Sequence, residues 1–124
     1  MLDSSDLIAF VATTDLSRAR TFYAGTLGLP LLTQDQYACA FDAHGTILRV
    51  TATADFARPS HTVLGWKVAD IAVATGDLTS RGVTFLRVDG LQQDQHGAWT
   101  TPSGDKVAWF KDPDGNTLSL TEFA

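Results

Sequence analysis

The chain of 124 residues sets 9 Lys+Arg against 14 Asp+Glu, a formal charge of −5, with 44% hydrophobic and 19% charged residues. This is a globular composition that excludes disorder, collagen and coiled coil, and a chain of this length hides roughly two-thirds of its unfolded surface in a core. The acidic balance gives no grip on phosphate backbones, so no nucleic-acid partner is expected. No apolar stretch approaches the roughly 20 residues that span a bilayer, and Met1–Asp6 has neither the basic nor the apolar region of a secretion signal. A cytoplasmic protein without membrane contact is expected, and the lone Cys39 fits a reducing compartment.

In chain order, Leu7–Thr13 is an apolar run that predicts a strand, and Asp15 is placed to cap a helix over Asp15–Leu27 that Gly28-Leu-Pro30 ends. Strands follow near Leu31–Thr33, Tyr37–Phe41 and Thr46–Ala52, with Asp42-Ala-His-Gly45 as the hairpin turn. Ala54–His61, holding Arg58-Pro-Ser60, reads as a linker. Val63–Val68 is the next strand, and Asp70–Arg81 a helix closed by Gly82. Strands are then expected at Thr84–Val88, Ala98–Thr101, Lys106–Lys111 and Thr117–Phe123, with Asp112-Pro-Asp-Gly115 as a tight turn whose glycine supplies a positive φ.

Two echoes organise this order. Leu7-Ile-Ala-Phe-Val-Ala-Thr-Thr-Asp15 is answered by Val63-Leu-Gly-Trp-Lys-Val-Ala-Asp70, with the capping Asp 55 residues on, so Ile8 matches Val63. Phe41-Asp-Ala-His-Gly-Thr-Ile-Leu-Arg-Val50 is answered by Lys111-Asp-Pro-Asp-Gly-Asn-Thr-Leu-Ser-Leu120 at an offset of 70, so Arg49 matches Ser119. The chain therefore reads as a duplication. The excess of 15 residues in the second half falls in the polar, turn-rich segment around Asp89 to Gly97.

The layout, with Thr14-Asp-Leu-Ser-Arg-Ala-Arg-Thr-Phe-Tyr23 and Phe110-Lys-Asp-Pro-Asp-Gly-Asn116, closely resembles the vicinal oxygen chelate superfamily, which holds glyoxalases, bleomycin-resistance proteins and extradiol dioxygenases. The resemblance covers nearly the whole chain. It implies an α+β fold in one domain, residues 1–124, of two paired βαβββ modules that form a cup-shaped mixed sheet with helices outside. The modules are expected at about 5–54 and 62–124, and the resemblance also implies a homodimer.

Catalytic members of that superfamily hold a divalent metal with His, Glu or Gln at four positions. The resemblance places these on Ile8, Arg49, Val63 and Ser119, none of which is a usual ligand, so no metal and no other cofactor is expected there. A displaced site would have to draw on His61 and Glu122, but alternation puts Glu122 on the face opposite Ser119. If the former ligand positions face inward, Phe10, Lys67 and Thr121 join them, and Trp109 follows if the family's pairing holds. Leu7, Ala9, Val11, Leu64, Trp66, Val68, Leu118 and Leu120 then pack beneath the helices.

The expected ligand-binding residues are Ile8, Phe10, Arg49, Val63, Lys67, Trp109, Ser119 and Thr121. They are apolar and aromatic with two cations and some hydroxyls, which suits a small aromatic or carboxylated organic molecule. The leading expectation is metal-free binding of such a molecule. A second is a lyase or isomerase that uses a displaced metal or Lys67 and Arg49 to stabilise an enolate. A third is an interaction domain whose cavity Ile8, Phe10 and Val63 fill. Cys39 reads as a buried, inert thiol, His44 and His96 as solvated turn residues, Tyr23 as packing its helix, Trp66 as core and Trp99 as a rim or dimer contact.

Overall fold

The computed structural model describes residues 1–124 and divides into two compact units, Met1–Ala57 and Arg58–Ala124, with the boundary inside the expected linker. In the first, β1 (Ile8–Thr13) lies parallel to β4 (Thr46–Ala52), and β4 pairs antiparallel with β3 (Ala38–Ala43), which pairs with β2 (Leu31–Gln34). The strand order is β1-β4-β3-β2. The parallel pair needs a crossover, and the helix after β1 begins it.

Asp15 sets that helix going: its backbone is extended, and its carboxylate accepts the Arg18 N–H at 3.0 Å. The helix α1 (Leu16–Arg20) runs into a π-helical stretch, Thr21–Thr26, in which the Leu27 N–H reaches the Phe22 carbonyl at 2.9 Å. An unbroken α-helix over Asp15–Leu27 was the expectation; the observed element keeps the span but widens its second half. Tyr23, fully buried, lies 5.8 Å from the Phe41 ring, with Phe22 edge-on to it at 5.1 Å. Gly28, at φ +75°, ends the helix, and the Leu29 N–H closes back on the Tyr23 carbonyl.

Alternation then sorts the sheet. Val11, Thr13, Cys39, Phe41, Leu48 and Val50 are buried on the α1 side, while Ile8, Phe10 and Ile47 are exposed on the other. Leu7 departs from the expected packing: it precedes the first ladder pair, Ile8 with Ile47, and is 73% exposed. The hairpin between β3 and β4 is two residues, His44 and Gly45, both with positive φ, and Asp42 Oδ1 accepts the Gly45 N–H at 2.7 Å.

The second unit repeats the plan in the order β5-β8-β7-β6, with β5 (Thr62–Lys67) parallel to β8 (Thr117–Glu122), and β7 (Lys106–Lys111) antiparallel to β8 and to β6 (Trp99–Thr100). The helix α2 (Ile71–Ser80) is capped by Asp70, whose Oδ1 accepts the Ala72 and Val73 N–H groups. Glu122 Oε1 takes the remaining Ile71 N–H at 2.9 Å. Ile71, Thr75, Ala108, Phe110, Leu118 and Leu120 are buried, the sheet residues on the α2 side; Leu64 and Trp66 share that face half-buried.

No strand forms over Thr84–Val88. Only the Leu86 N–H joins the sheet, on the Trp109 carbonyl at 2.8 Å. The Gln93 side chain takes the place of a ladder: its Oε1 accepts the Val88 N–H at 2.7 Å, and its Nε2 donates to the Leu86 and Gly97 carbonyls at 2.8 Å each. Gly97 is held close enough that a Cβ there would sit 2.9 Å from Phe85 Cβ. Expected strand Ala98–Thr101 shortens to the two residues of β6 plus a single bridge between Gln93 and Trp99.

The β7–β8 turn is a closed network. Asp112 Oδ1 accepts the Asp114 and Asn116 N–H groups at 3.0 and 2.9 Å, its Oδ2 accepts Asn116 Nδ2 at 2.8 Å, and its carbonyl accepts the Gly115 N–H. Arg58 lies over Gly115, where a Cβ would meet its Cδ at 2.9 Å. Asn116, only 1% exposed, has every side-chain polar atom satisfied.

Candidate functional site

The duplication is visible in register. Phe10 pairs with Arg49 in the first unit and Gly65 with Ser119 in the second, offsets of 55 and 70, the same offsets as the sequence echoes. On the third strands, Ala40 opposite Arg49 corresponds to Trp109 opposite Ser119, an offset of 69. The second hairpin therefore carries one of the extra residues, and the segment before β7 carries the rest. A bulge between Thr62 and Leu64 displaces Val63 from the pairing that Ile8 makes with Ile47.

In the first unit, Ile8, Phe10, Ile47 and Arg49 lie together on the sheet face away from α1. Phe10 is 63% exposed, more than its neighbours Ile8 and Ile47. Arg49 is half-buried beside it, and no ion pair or hydrogen bond engages its guanidinium; its charge adds slightly to the lowering of the Asp35 carboxyl. The main hold on Asp35 is local: the Tyr37 and Ala38 N–H groups bond its Oδ1 and lower its pKa.

In the second unit, the face away from α2 carries the row Gly65, Ser119, Trp109 and, next to it, Lys67, Thr121, Val107 and Trp99. Trp99 and Trp109 stack with centroids 6.2 Å apart and planes 25° from parallel. The sequence alone suggests a rim or dimer contact for Trp99; the structure adds this ring stack. The signal for the stack was Thr101-Pro-Ser-Gly104: as a hairpin turn it sets Trp99 opposite Val107, which leaves Trp109 on the same face one diagonal away.

Gly65 leaves room that Ser119 uses. A Cβ at Gly65 would lie 2.8 Å from Ser119 Oγ, so the absence of a side chain on β5 lets the hydroxyl lean across the strand pair. Ser119 is buried to 8% exposure on that face. Lys67 is exposed, with its Nζ 5.9 Å from the Phe123 ring centroid, the outer reach of a cation–π contact, and no carboxylate paired to it. Thr121 stands next to it across the ladder.

Compared with known families, residues 6–120 match the model of the Glyoxalase/Bleomycin resistance protein/Dioxygenase superfamily. The chain belongs to this superfamily. A superfamily member from Sphaerobacter thermophilus DSM 20745 is similar at 26% identity and a TM-score of 0.76, covering 98% of this chain and 99% of its own. A glyoxalase family protein from Bacillus anthracis reaches the same TM-score at 16% identity, covering 98% and 96%. The lactoylglutathione lyase of Agrobacterium tumefaciens matches with a TM-score of 0.70 at 17% identity, covering 96% and 93%. No curated protein matches the sequence.

The glyoxalase-superfamily resemblance puts metal-ligand positions at Ile8, Arg49, Val63 and Ser119. Two are hydrocarbon, one is a fixed cation and one is a neutral hydroxyl, so these residues do not fit a divalent ion, which needs several imidazole or carboxylate lone pairs at about 2 Å. No group of three or more His, Cys, Asp or Glu side chains gathers elsewhere. Glu122 is committed to the start of α2, where its Oε2 also lies 3.9 Å from Lys106 Nζ. His61 is exposed at the edge of β5. Cys39 is fully buried, and burial pushes its thiol pKa up, which opposes the thiolate that nucleophilic chemistry needs.

Proposed function

We propose that this glyoxalase-superfamily protein binds a small organic anion with a flat aromatic body, without a metal at the superfamily's customary positions. In this reading Ile8, Phe10 and Arg49 form the binding surface of the first unit, and Val63, Lys67, Trp109, Ser119 and Thr121, joined by Trp99, that of the second.

The observation that carries the reading is the stacked Trp99–Trp109 pair in the rows that also present Ser119, Thr121 and Lys67. Indole faces favour flat apolar bodies, the hydroxyls orient polar atoms, and an unpaired ammonium favours a carboxylate. Arg49, also without a carboxylate partner, supports the same preference for anions. Binding sites of this kind are mostly apolar with few polar groups, and these faces have that balance.

Calorimetric titration with 1-naphthoate and with neutral 1-naphthol tests it. The acid is expected to bind at least about tenfold more tightly than the alcohol, and Lys67→Met to remove that advantage. Trp109→Ala is expected to weaken both. Equal affinity of Trp109→Ala and wild type would overturn the placement. Elemental mass spectrometry after incubation with Zn, Ni, Mn and Fe(II) salts tests the metal-free part, which near-stoichiometric retention of any of them would refute.

A further inference from the structure

The segment between α2 and β6, the part of the second unit that the first does not duplicate, builds a surface groove of about 380 Å³. It lies on the α2 side of the sheet, since Phe85 at its base packs against buried Phe110 at 5.5 Å, so it is distinct from the Trp99–Trp109 face. Val83 and Phe85 give it an apolar floor, and Arg87 and His96 stand on its wall.

Its chemistry is one-sided. The chain has 14 Asp+Glu, yet no carboxylate lines the groove. Arg87 has no acidic partner at all: its Nη1 donates to the Asp94 carbonyl at 2.6 Å and its Nη2 to the Gln95 carbonyl at 3.0 Å. The Asp94 carboxylate is turned to the His96 and Ala98 N–H groups instead. Of the five guanidinium N–H groups, three stay unengaged, and the two neutral bonds fix the plane without cancelling the charge.

Two further donors are free. Thr79, in the last turn of α2, and Thr84 line the groove, and neither hydroxyl has a hydrogen bond inside the protein. The Gln95 amide, 3.3 Å from His96 Nε2, completes a rim rich in donors. A tetrahedral oxyanion has three terminal oxygens for such a rim, more than a carboxylate offers, and a guanidinium held in a fixed plane loses little entropy on binding one.

We propose that this groove is a second binding site, for a small organic phosphate whose apolar part rests on Val83 and Phe85. Phenyl phosphate is the probe, titrated into ¹⁵N-labelled protein and read at the amides of Thr84, Arg87, Gln95 and His96. Expected are saturable shifts at those amides, with benzyl alcohol and ionic-strength-matched NaCl giving none.

Arg87→Met is expected to weaken phenyl phosphate by on the order of tenfold or more, and the Thr79→Val, Thr84→Val double variant to weaken it while leaving the loop's carbonyl bonds intact. Trp109→Ala is expected to have no effect, which separates this site from the one proposed above. Absence of saturable shifts, shifts reproduced by NaCl, or unchanged affinity in both the Arg87→Met and the threonine variants would overturn the proposal. Inorganic phosphate binding as tightly as phenyl phosphate would refute the role given to Val83 and Phe85.

Discussion

Phe10 and Gly65 hold the same place in the two halves of the duplication, one opposite Arg49 and the other opposite Ser119. The first half sets a large exposed ring there, and the second sets no side chain, so that the Ser119 hydroxyl fills the space. Related backbones thus present unlike surfaces.

That relationship makes Gly65→Ala informative. The added methyl would stand 2.8 Å from Ser119 Oγ, a distance that forces the hydroxyl to move. Because the hydroxyl can turn aside to another rotamer, a loss of at most about 1 kcal/mol is expected, measured by urea denaturation. Adding Ser119→Ala, which removes only the hydroxyl, should restore most of it. A double variant no more stable than Gly65→Ala would refute the contact as the cause.

The two hairpin aspartates differ in weight. Asp42 accepts one exposed N–H, whereas Asp112 accepts two N–H groups and the buried Asn116 amide. Asp42→Ala is expected to cost about 0.5–1.5 kcal/mol, and Asp112→Ala about 2–3 kcal/mol, because three bonds to its carboxylate, one of them from the buried Asn116 amide, are lost together. Equal losses in denaturation would contradict that ranking.

Gln93→Leu removes a donor and an acceptor that serve three backbone groups. A loss of about 1–3 kcal/mol is expected, with hydrogen exchange at the Val88 amide accelerated selectively over amides in β7 and β8. Uniform acceleration across the unit would show that Gln93 acts globally instead.

Cys39 gives a dependence on pH. Its thiol pKa in the folded chain is raised by burial above the ordinary 9.0, so the unfolded chain releases its proton first. Stability from this group is complete below that value and declines as pH rises through the folded pKa, because the folded state then holds the extra proton. Cys39→Ala should flatten the alkaline part of the stability curve. An equally steep decline in the variant would assign it to other groups.

Much of the fold was legible because each signal is local. Asp15 and Asp70 cap helices by reaching their own first turns, and the centres of Thr46–Ala52 and Lys106–Lys111 alternate between a buried and an accessible face. The Thr84–Val88 run misled because alternating Thr, Leu and Val satisfies a strand pattern, while the choice was made by Gln93, an amide outside the run. The widening of the first helix at Thr21–Thr26 leaves no mark in periodicity. Of the site, the match of Arg49 with Ser119 followed from the repeat, but the place of Gly65 opposite Ser119 came from the strand register, the ring stack needed the short β6–β7 turn, and the bulge beside Val63 had no sequence signature.

The amide clamp of Gln93 also bears on aggregation. A sheet whose last strand is only two residues long would otherwise show a neighbouring backbone with unclaimed donors and acceptors, a template for strands of other chains. Here the Val88 N–H and the Leu86 and Gly97 carbonyls are already taken by one side chain, and the Leu86 N–H by Trp109. Along this stretch beside β7, a single glutamine and one carbonyl leave fewer backbone groups for an intruding strand to pair with.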